Sequence, residues 1–229
     1  MRKWLFPFVF LFVMVGFAWA FDRFAPVQHN PTRPLSLSDP VGLATHFKLA
    51  ALQETPEACF SALESGGVAF ERLEDGAPGD PCGFRNALFL KQSVTPYSAP
   101  IRTSCPLAAG LNIWERHKLQ PAARTHLGSE LERIETFGTF SCRRMYGRKS
   151  GSYSEHARAN AIDISGFRLS DGRLISVQAD WRARNDAGRF LNEVFDGACD
   201  VFSVSLGPDY NAAHGDHFHF DMGPGSVCQ

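Results

Sequence analysis

Residues 215–222 alternate polar and apolar side chains in the pattern of a strand with one buried face. Because successive strand side chains point to opposite faces, two imidazoles and a carboxylate share one face: His217, His219 and Asp221. The other face carries Phe218, Phe220 and Met222. Such polar groups are costly to bury without partners, and a metal ion removes that cost by binding neutral imidazole and ionised carboxylate. A single His-x-His pair is more often a hydrogen-bonded surface pair, so both interpretations stand at this point.

A second segment places Asp163 between Ile162 and Ile164, in a strand whose other face is hydrophobic. A carboxylate there needs a cation or several donors, and for a single aspartate a salt bridge or a cap is the commoner outcome. His156 lies in the loop that enters this strand. Combined with the histidines of residues 215–222, these two residues form a set that can hold a metal ion and leave a position for water. The two segments together predict a metal site that neither predicts alone.

The elements that must position these residues indicate an α+β fold. Strands are predicted for residues 131–145, 161–169, 173–177, 202–206 and 217–222, the second and third joined across the hairpin signal Asp171-Gly172. A helix is predicted from Pro106, capped by Ser104, kinked near Pro121 and ended by Gly128. A shorter helix is predicted to end near residue 197. Because helices and hairpins do not alternate regularly, we predict an antiparallel sheet with flanking helices.

The beginning of the chain predicts a leader and a tether. Residues 1–20 have a basic start, an apolar run and a small-x-small end, which are typical of a signal peptide cleaved after Ala20. A retained anchor is the alternative, but the run is short for a bilayer core of about 30 Å. The proline-rich residues 21–53 predict an extended tether, and residues 54–229 form the predicted domain. We therefore expect a periplasmic or secreted protein without a transmembrane anchor.

Charge and cysteine content narrow the class of protein. Loss of Arg2 and Lys3 with the leader would change the formal net charge from −1 to −3, so no basic surface and no nucleic-acid partner are expected. The six cysteines are even in number and form no Cys-x-x-Cys pair. In an exported chain they predict a disulfide-stabilised domain, although the sequence does not choose among the pairings.

Four motifs carry a resemblance to a known family: residues 105–108, 154–156, 160–164 and 207–214. They resemble the bacterial extensin-like C-terminal family over roughly residues 54–229, and the ligand spacing is similar to that of M15-type (LAS-type) peptidoglycan zinc metallopeptidases. The resemblance implies a metallopeptidase-like core of that type, with Zn²⁺ held by His156, Asp163 and His219. It implies a zinc-dependent hydrolase that cleaves peptide bonds in the stem peptides or cross-links of peptidoglycan. Relatives usually carry glycine where this chain has Ala159, so the turn between the first two ligands is expected to differ slightly.

The roles of the remaining candidates follow from this resemblance and stay open between alternatives. Asp216 stands where similar peptidases carry an acidic base, and His217 is the alternative base or a stabiliser of the oxyanion. On a regular strand Asp216 would face away from the ligands, so a bend or bulge is expected at Gly215. His214 and Arg143 are candidates for substrate binding. The alternatives to a peptidase are a wall-binding module without turnover and a wall amidase or deacetylase.

Overall fold

The computed structural model describes residues 2–77 and 79–229, which form helices packed around two β-sheets. The helices are α1 (Arg2–Phe24), α2 (Thr45–Ala51), α3 (Pro56–Ser65), α4 (Cys105–Trp114), α5 (Gln120–Ala122), α6 (Val177–Asp180) and α7 (Asp186–Cys199). The strands are β1 (Ala69–Arg72), β2 (Ala87–Gln92), β3 (Ile101–Ser104), β4 (Leu131–Gly138), β5 (Ala161–Leu169), β6 (Leu174–Ser176), β7 (Val204–Leu206), β8 (Phe218–Asp221) and β9 (Val227–Cys228). This composition confirms the predicted α+β class.

The larger sheet supplies the framework of the domain. Its strand order is β4-β5-β8-β7-β9, and β6 pairs with the second half of β5. The pairings from β4 to β7 are antiparallel, as predicted, whereas β9 runs parallel to β7. The predicted hairpin is present, because β5 and β6 are joined across the exposed turn at Asp171-Gly172. A separate antiparallel sheet has the order β1-β2-β3.

The residues before the predicted domain are not an extended tether. Leu37 and Leu49 are buried in the main core, and the ammonium group of Lys48 donates a hydrogen bond of 2.7 Å to the carbonyl of Val27. The side chains of Leu37 and Leu49 bury apolar surface that a solvated tether would expose. The free energy gained by this burial outweighs the preference of the prolines for extended backbone. Helix α1 continues past Ala20, and cleavage there stays a prediction. Within residues 2–77 and 79–229, no helix has both the length and the apolar character needed to cross a bilayer.

The central helix begins as predicted and continues through Pro121. The hydroxyl of Ser104 accepts a hydrogen bond from the Leu107 amide, and α4 starts immediately after this cap. Around Pro121 the chain stays helical. Helix α5 contains this proline, and wider π-helical turns at Glu115–Leu119 and Ala123–Leu127 flank it. Proline removes one helical hydrogen bond and its ring crowds the preceding turn, and the change to π-helical geometry lies where the sequence predicts a kink or split, near Leu119. Gly128 then ends the helix with a left-handed φ of 62°.

The core lies between the larger sheet and the helices α4 and α7. Trp114 is fully buried, its indole packs edge-on against Phe220 at 5.4 Å, and its ring nitrogen donates to the carbonyl of Val194 at 2.9 Å. Phe218 and Phe220 are both fully buried, as their alternation in the sequence predicts. One face of β8 is thereby fixed in the core, and its opposite face is directed away from it.

Three disulfide bonds join distant parts of the chain. Cys59 on α3 bonds to Cys105 at the start of α4, Cys82 bonds to Cys142, and Cys199 at the end of α7 bonds to Cys228 on β9. The predicted disulfide-stabilised domain is confirmed. The pairing itself depends on which cysteines the fold brings together, which the sequence alone does not give.

Candidate metal centre

Two neighbouring strands bring the three predicted ligands together. Asp163 on β5 pairs directly with His219 on β8, and His156 reaches over them from a helical turn at Glu155–Arg158. Oδ1 of Asp163 lies 3.2 Å from Nε2 of His156 and 3.0 Å from Nδ1 of His219. The two imidazole nitrogens are 3.2 Å apart. These three side chains form the candidate metal centre, a nearly equilateral triangle of donor atoms.

The far nitrogens of both imidazoles are held by acceptors. Nδ1 of His156 lies 3.2 Å from the carbonyl of Thr139, and Nε2 of His219 lies 3.0 Å from Oδ2 of Asp221. Because carbonyl and carboxylate oxygens accept only, these nitrogens carry the protons in the neutral rings. The nitrogens that face Asp163 then present lone pairs, so three electron-rich atoms converge with no proton among them. A proton or a metal cation must fill this triangle.

The dimensions and chemistry of the triangle fit zinc. Bonds of about 2.0–2.1 Å in a tetrahedral site place neighbouring donor atoms about 3.3 Å apart, close to the observed separations. His156 is 3% exposed and His219 is 9% exposed, so water does not compete freely for their lone pairs. Imidazole ligands oriented by an acceptor behind the ring are typical of protein zinc sites. The residues present therefore fit the ion that the sequence predicts.

The pKa values of Asp163 and His219 reflect the close approach of the three side chains. Burial opposes ionisation of Asp163, but hydrogen bonds with His156 and His219 outweigh it and hold the pKa of the carboxyl well below its usual range. Burial also opposes protonation of His219, yet its hydrogen bonds with Asp163 and Asp221 raise its pKa to about 9. In the metal-free protein the triangle thus attracts a proton at neutral pH, and a metal must displace that proton to bind.

The two candidate bases, Asp216 and His217, are hydrogen-bonded to each other beside the ligands. Oδ1 of Asp216 lies 2.8 Å from Nδ1 of His217, and Nε2 of His217 lies 3.6 Å from Oδ1 of Asp163. Asp216 precedes β8. The chain reaches it through a short helical turn at Ala212–His214 and then Gly215. Gly215 adopts a right-handed turn conformation, with φ −62°. The chain thus turns at Gly215 before β8 begins, so the structure shows the bend and not the bulge of the two expected alternatives.

A large cleft opens over the triangle and contains both predicted substrate-binding residues. Its volume is about 880 Å³, and its walls include Arg143, His214 and His217. The ring of His214 lies 5.3 Å from that of His217 and 5.8 Å from that of His219. Burial and these two neighbouring histidines lower the pKa of His214 to about 4, so it is neutral at pH 7. The exposed Arg143 supplies a cation at the rim.

The sequence interpretation gives Tyr146 as a candidate aromatic wall and misses two other residues of the site, Thr139 and Tyr210. Thr139 orients His156 through its backbone carbonyl, which no residue type signals in advance. Tyr146 and Tyr210 meet across the cleft with their hydroxyl oxygens 3.4 Å apart. Tyr210 belongs to the motif at residues 207–214 and could have been chosen from it. Arg144, the neighbour of Arg143, stacks on the ring of Tyr153 at 4.3 Å and donates a hydrogen bond to the carbonyl of Gly151. Its guanidinium therefore stabilises the loop between these residues.

The turn between His156 and Asp163 keeps the conformation that glycine favours. Ala159 is fully buried and has a left-handed φ of 55°. Its amide donates to the carbonyl of His156, and its carbonyl accepts from the Ser104 amide. The alanine methyl group therefore does not redirect the backbone that carries the ligands, although a left-handed alanine costs about 1 kcal/mol.

Comparison with known proteins identifies a family for most of the chain. No curated protein and no solved structure matched the chain. The family described as "Extensin-like protein C-terminus" matches residues 57–229, which include all three residues of the candidate metal centre and the cleft above it. The match covers most of the 229 residues. The chain therefore belongs to the extensin-like protein C-terminus family.

Proposed function

We propose that this protein is a zinc-dependent hydrolase that cleaves peptide bonds in bacterial cell-wall peptidoglycan, built on an M15/LAS-type metallopeptidase-like core. The observation that carries the proposal is the triangle of His156, Asp163 and His219, whose lone pairs converge at 3.0–3.2 Å on the floor of an open cleft. Three protein ligands leave at least one position of a tetrahedral ion free, which is the arrangement of catalytic zinc sites. The similarity of the ligand spacing to that of M15-type peptidoglycan metallopeptidases is the basis for proposing wall peptides as the substrate.

The chemistry divides between the ion and the surrounding side chains. A zinc ion held by His156, Asp163 and His219 would lower the pKa of a bound water to about 7 and would polarise the carbonyl to be attacked. His217 is placed to accept the proton of the attacking water at Nε2, because its Nδ1 is held by Asp216 at 2.8 Å. Asp216 is then a positioning residue that fixes the tautomer of His217, as carboxylates behind catalytic histidines do. His217 lines the large cleft and Asp216 does not, which favours His217 over Asp216 as the base.

The cleft walls provide groups that suit a peptide. Arg143 at the rim can form charge-assisted hydrogen bonds with a carboxylate or a carbonyl of the substrate. His214, neutral at pH 7, donates from Nδ1 to the side-chain oxygen of Asn211 at 2.9 Å, so its Nε2 can accept a hydrogen bond from a substrate beside His217. Tyr146 and Tyr210 form an aromatic wall over the same space.

Export to the periplasm or beyond is part of the proposal. Three disulfide bonds and no free cysteine among the described residues are compatible with an oxidising compartment. We propose that residues 1–20 direct this export as a signal peptide. The N-terminal sequence of the protein recovered from a periplasmic fraction tests this step: Phe21 as the first residue supports cleavage, and Met1 contradicts it.

The deciding experiment uses zinc-loaded protein and purified sacculi, with the released fragments identified by mass. New peptide termini are expected. Asp163→Ala and His156→Ala should remove both the bound zinc and the activity, while His46→Ala, on α2 and outside both the candidate metal centre and the lining of the cleft, should keep both. Loss of acetyl groups from the glycan would show a deacetylase, and binding without any new termini would show a wall-binding module. Activity that survives Asp163→Ala would refute the mechanism.

A further inference from the structure

A second, smaller cavity lies beside Asp216, the residue that precedes His217. Its volume is about 160 Å³, and it is lined by Glu135, Phe137, Ser165, Leu174, Gln178 and Asp216. Asp216 and His217 are consecutive and hydrogen-bonded, yet Asp216 lines this second cavity while His217 lines the large cleft. The candidate base therefore stands at the boundary between the two spaces.

The second cavity is a continuation of the same surface. Ser165 lies two residues along β5 from Asp163, a distance of about 7 Å on a strand. The pairing of β4 with β5 passes over Ser165, because Glu135 pairs with Gly166 and Thr136 with Ile164. A bulge of this kind redirects side chains and is frequent beside active sites. An extended peptide advances about 3.3–3.6 Å per residue, so two residues span from the candidate metal centre to this cavity.

Apolar side chains around the second cavity remain open to solvent. Phe137 is 62% exposed, and its ring lies 5.7 Å from the ring of His217. Leu174, which also lines the cavity, is 48% exposed. Both are directed into a space next to a reactive group, where a bound chain would cover them and gain hydrophobic contact.

The charges of the two spaces decide what kind of chain fits. The lining of the second cavity includes two carboxylates, Glu135 and Asp216, and no lysine, arginine or histidine among the described residues. Glu135 is itself paired with Arg133 at 2.9 Å and with Arg168 at 3.2 Å. A free terminal carboxylate would therefore find no unpaired cation in this lining, whereas an uncharged continuing chain needs none. The large cleft, at about 880 Å³, exceeds what one terminal residue needs and has the size of sites for larger ligands.

We infer that the substrate continues through both cavities, so that the protein is an endopeptidase acting within cross-linked peptides and does not release single C-terminal residues. This inference rests on the proposed hydrolase function. Phe137 and Leu174 are then specificity-determining residues, which contact the part of the chain that passes beyond His217.

The test compares two purified muropeptides, cross-linked dimers and uncross-linked monomers with a free terminal carboxylate, as substrates of the full-length zinc-loaded protein. Dimers should be cleaved at least tenfold more efficiently, as kcat/KM. Leu174→Trp should fill the second cavity and raise KM for dimers about tenfold, with the melting temperature unchanged. Leu43→Trp is the matched control, because Leu43 is 80% exposed and lies outside both cavities. Faster release of terminal residues from monomers, or an unchanged KM in Leu174→Trp, would overturn the inference.

Calorimetric binding of the same muropeptides to the zinc-free protein separates this inference from the proposed function. If neither muropeptide is hydrolysed, the hydrolase proposal fails, and binding still tests the second cavity. Dimers should bind more tightly than monomers, and Leu174→Trp should abolish that difference while Leu43→Trp preserves it. Equal affinities for the two muropeptides would refute the second cavity as a binding site.

Discussion

The buried carboxyl of Glu115 provides a prediction about pH and stability. Glu115 is fully buried; Oε2 accepts the amide of Thr95 at 2.8 Å, and Oε1 accepts the hydroxyl of Tyr97 at 2.5 Å. Burial raises the pKa of this carboxyl from 4.5 to about 7, because the hydrogen bonds compensate only part of the lost hydration. Glu115→Gln keeps the shape and offers an amide oxygen to Thr95 and an amide N–H to Tyr97, so the variant should fold.

The sign and size of the effect follow from proton linkage. Between about pH 4.5 and 7 the folded state holds a proton on Glu115 that the unfolded state has released, so stability falls as pH rises through this window. A shift of this size corresponds to about 3 kcal/mol, at about 1.4 kcal/mol per pKa unit. Wild type and Glu115→Gln should therefore be similarly stable near pH 4.5, and the variant should be about 3 kcal/mol more stable near pH 8.

Urea denaturation at a series of pH values between about 4.5 and 8 measures this difference. Subtraction of the variant from the wild type removes the titration of all other groups, and Glu54→Gln controls for the loss of an exposed carboxylate. The control should follow the wild type at every pH. A wild-type minus variant difference that is constant across the series, within about 0.5 kcal/mol, would refute the reasoning about burial.

Three further predictions concern the site and the scaffold. His217→Gln should lower kcat at least about a hundredfold with zinc content unchanged, and Asp216→Asn should lower it less and move the pH–rate profile; loss of zinc from either would contradict these roles. Replacing Cys199 and Cys228 by serine opens a 29-residue loop and should cost about 3–4 kcal/mol in chemical denaturation, whereas an unchanged midpoint would show that this disulfide does not stabilise the fold. Phe220→Ala should cost about 3–5 kcal/mol by calorimetry, and a loss under 1 kcal/mol would mean that the core refills the cavity.

Local chemistry in the sequence was sufficient for the elements that carry the candidate site. The alternation of Phe218 and Phe220 with polar residues predicts one buried face of β8, and the structure confirms it because that face packs on Trp114. Ser104 before a proline predicts the start of α4, where the cap is found. Such signals act within a few residues and do not depend on the rest of the fold.

Long-range packing explains what the sequence did not give. Leu37 and Leu49 belong to a segment with the composition of a tether, yet distant parts of the domain bury them. The carbonyl that orients His156 belongs to Thr139, and any residue type could supply it. The second cavity likewise has Ser165 in its lining, at a bulge that exists only in the pairing of β4 with β5.

The direct pairing of Asp163 with His219 determines where the chain tolerates changes of length. These residues are 56 positions apart in sequence, but their alignment depends only on the register of two strands. One residue inserted into or deleted from β8 would turn His219 towards the core and bring a phenylalanine to the cleft. Added residues at the exposed turn of Asp171-Gly172 would leave that register intact, which makes this turn the natural position for a label or a fused tag.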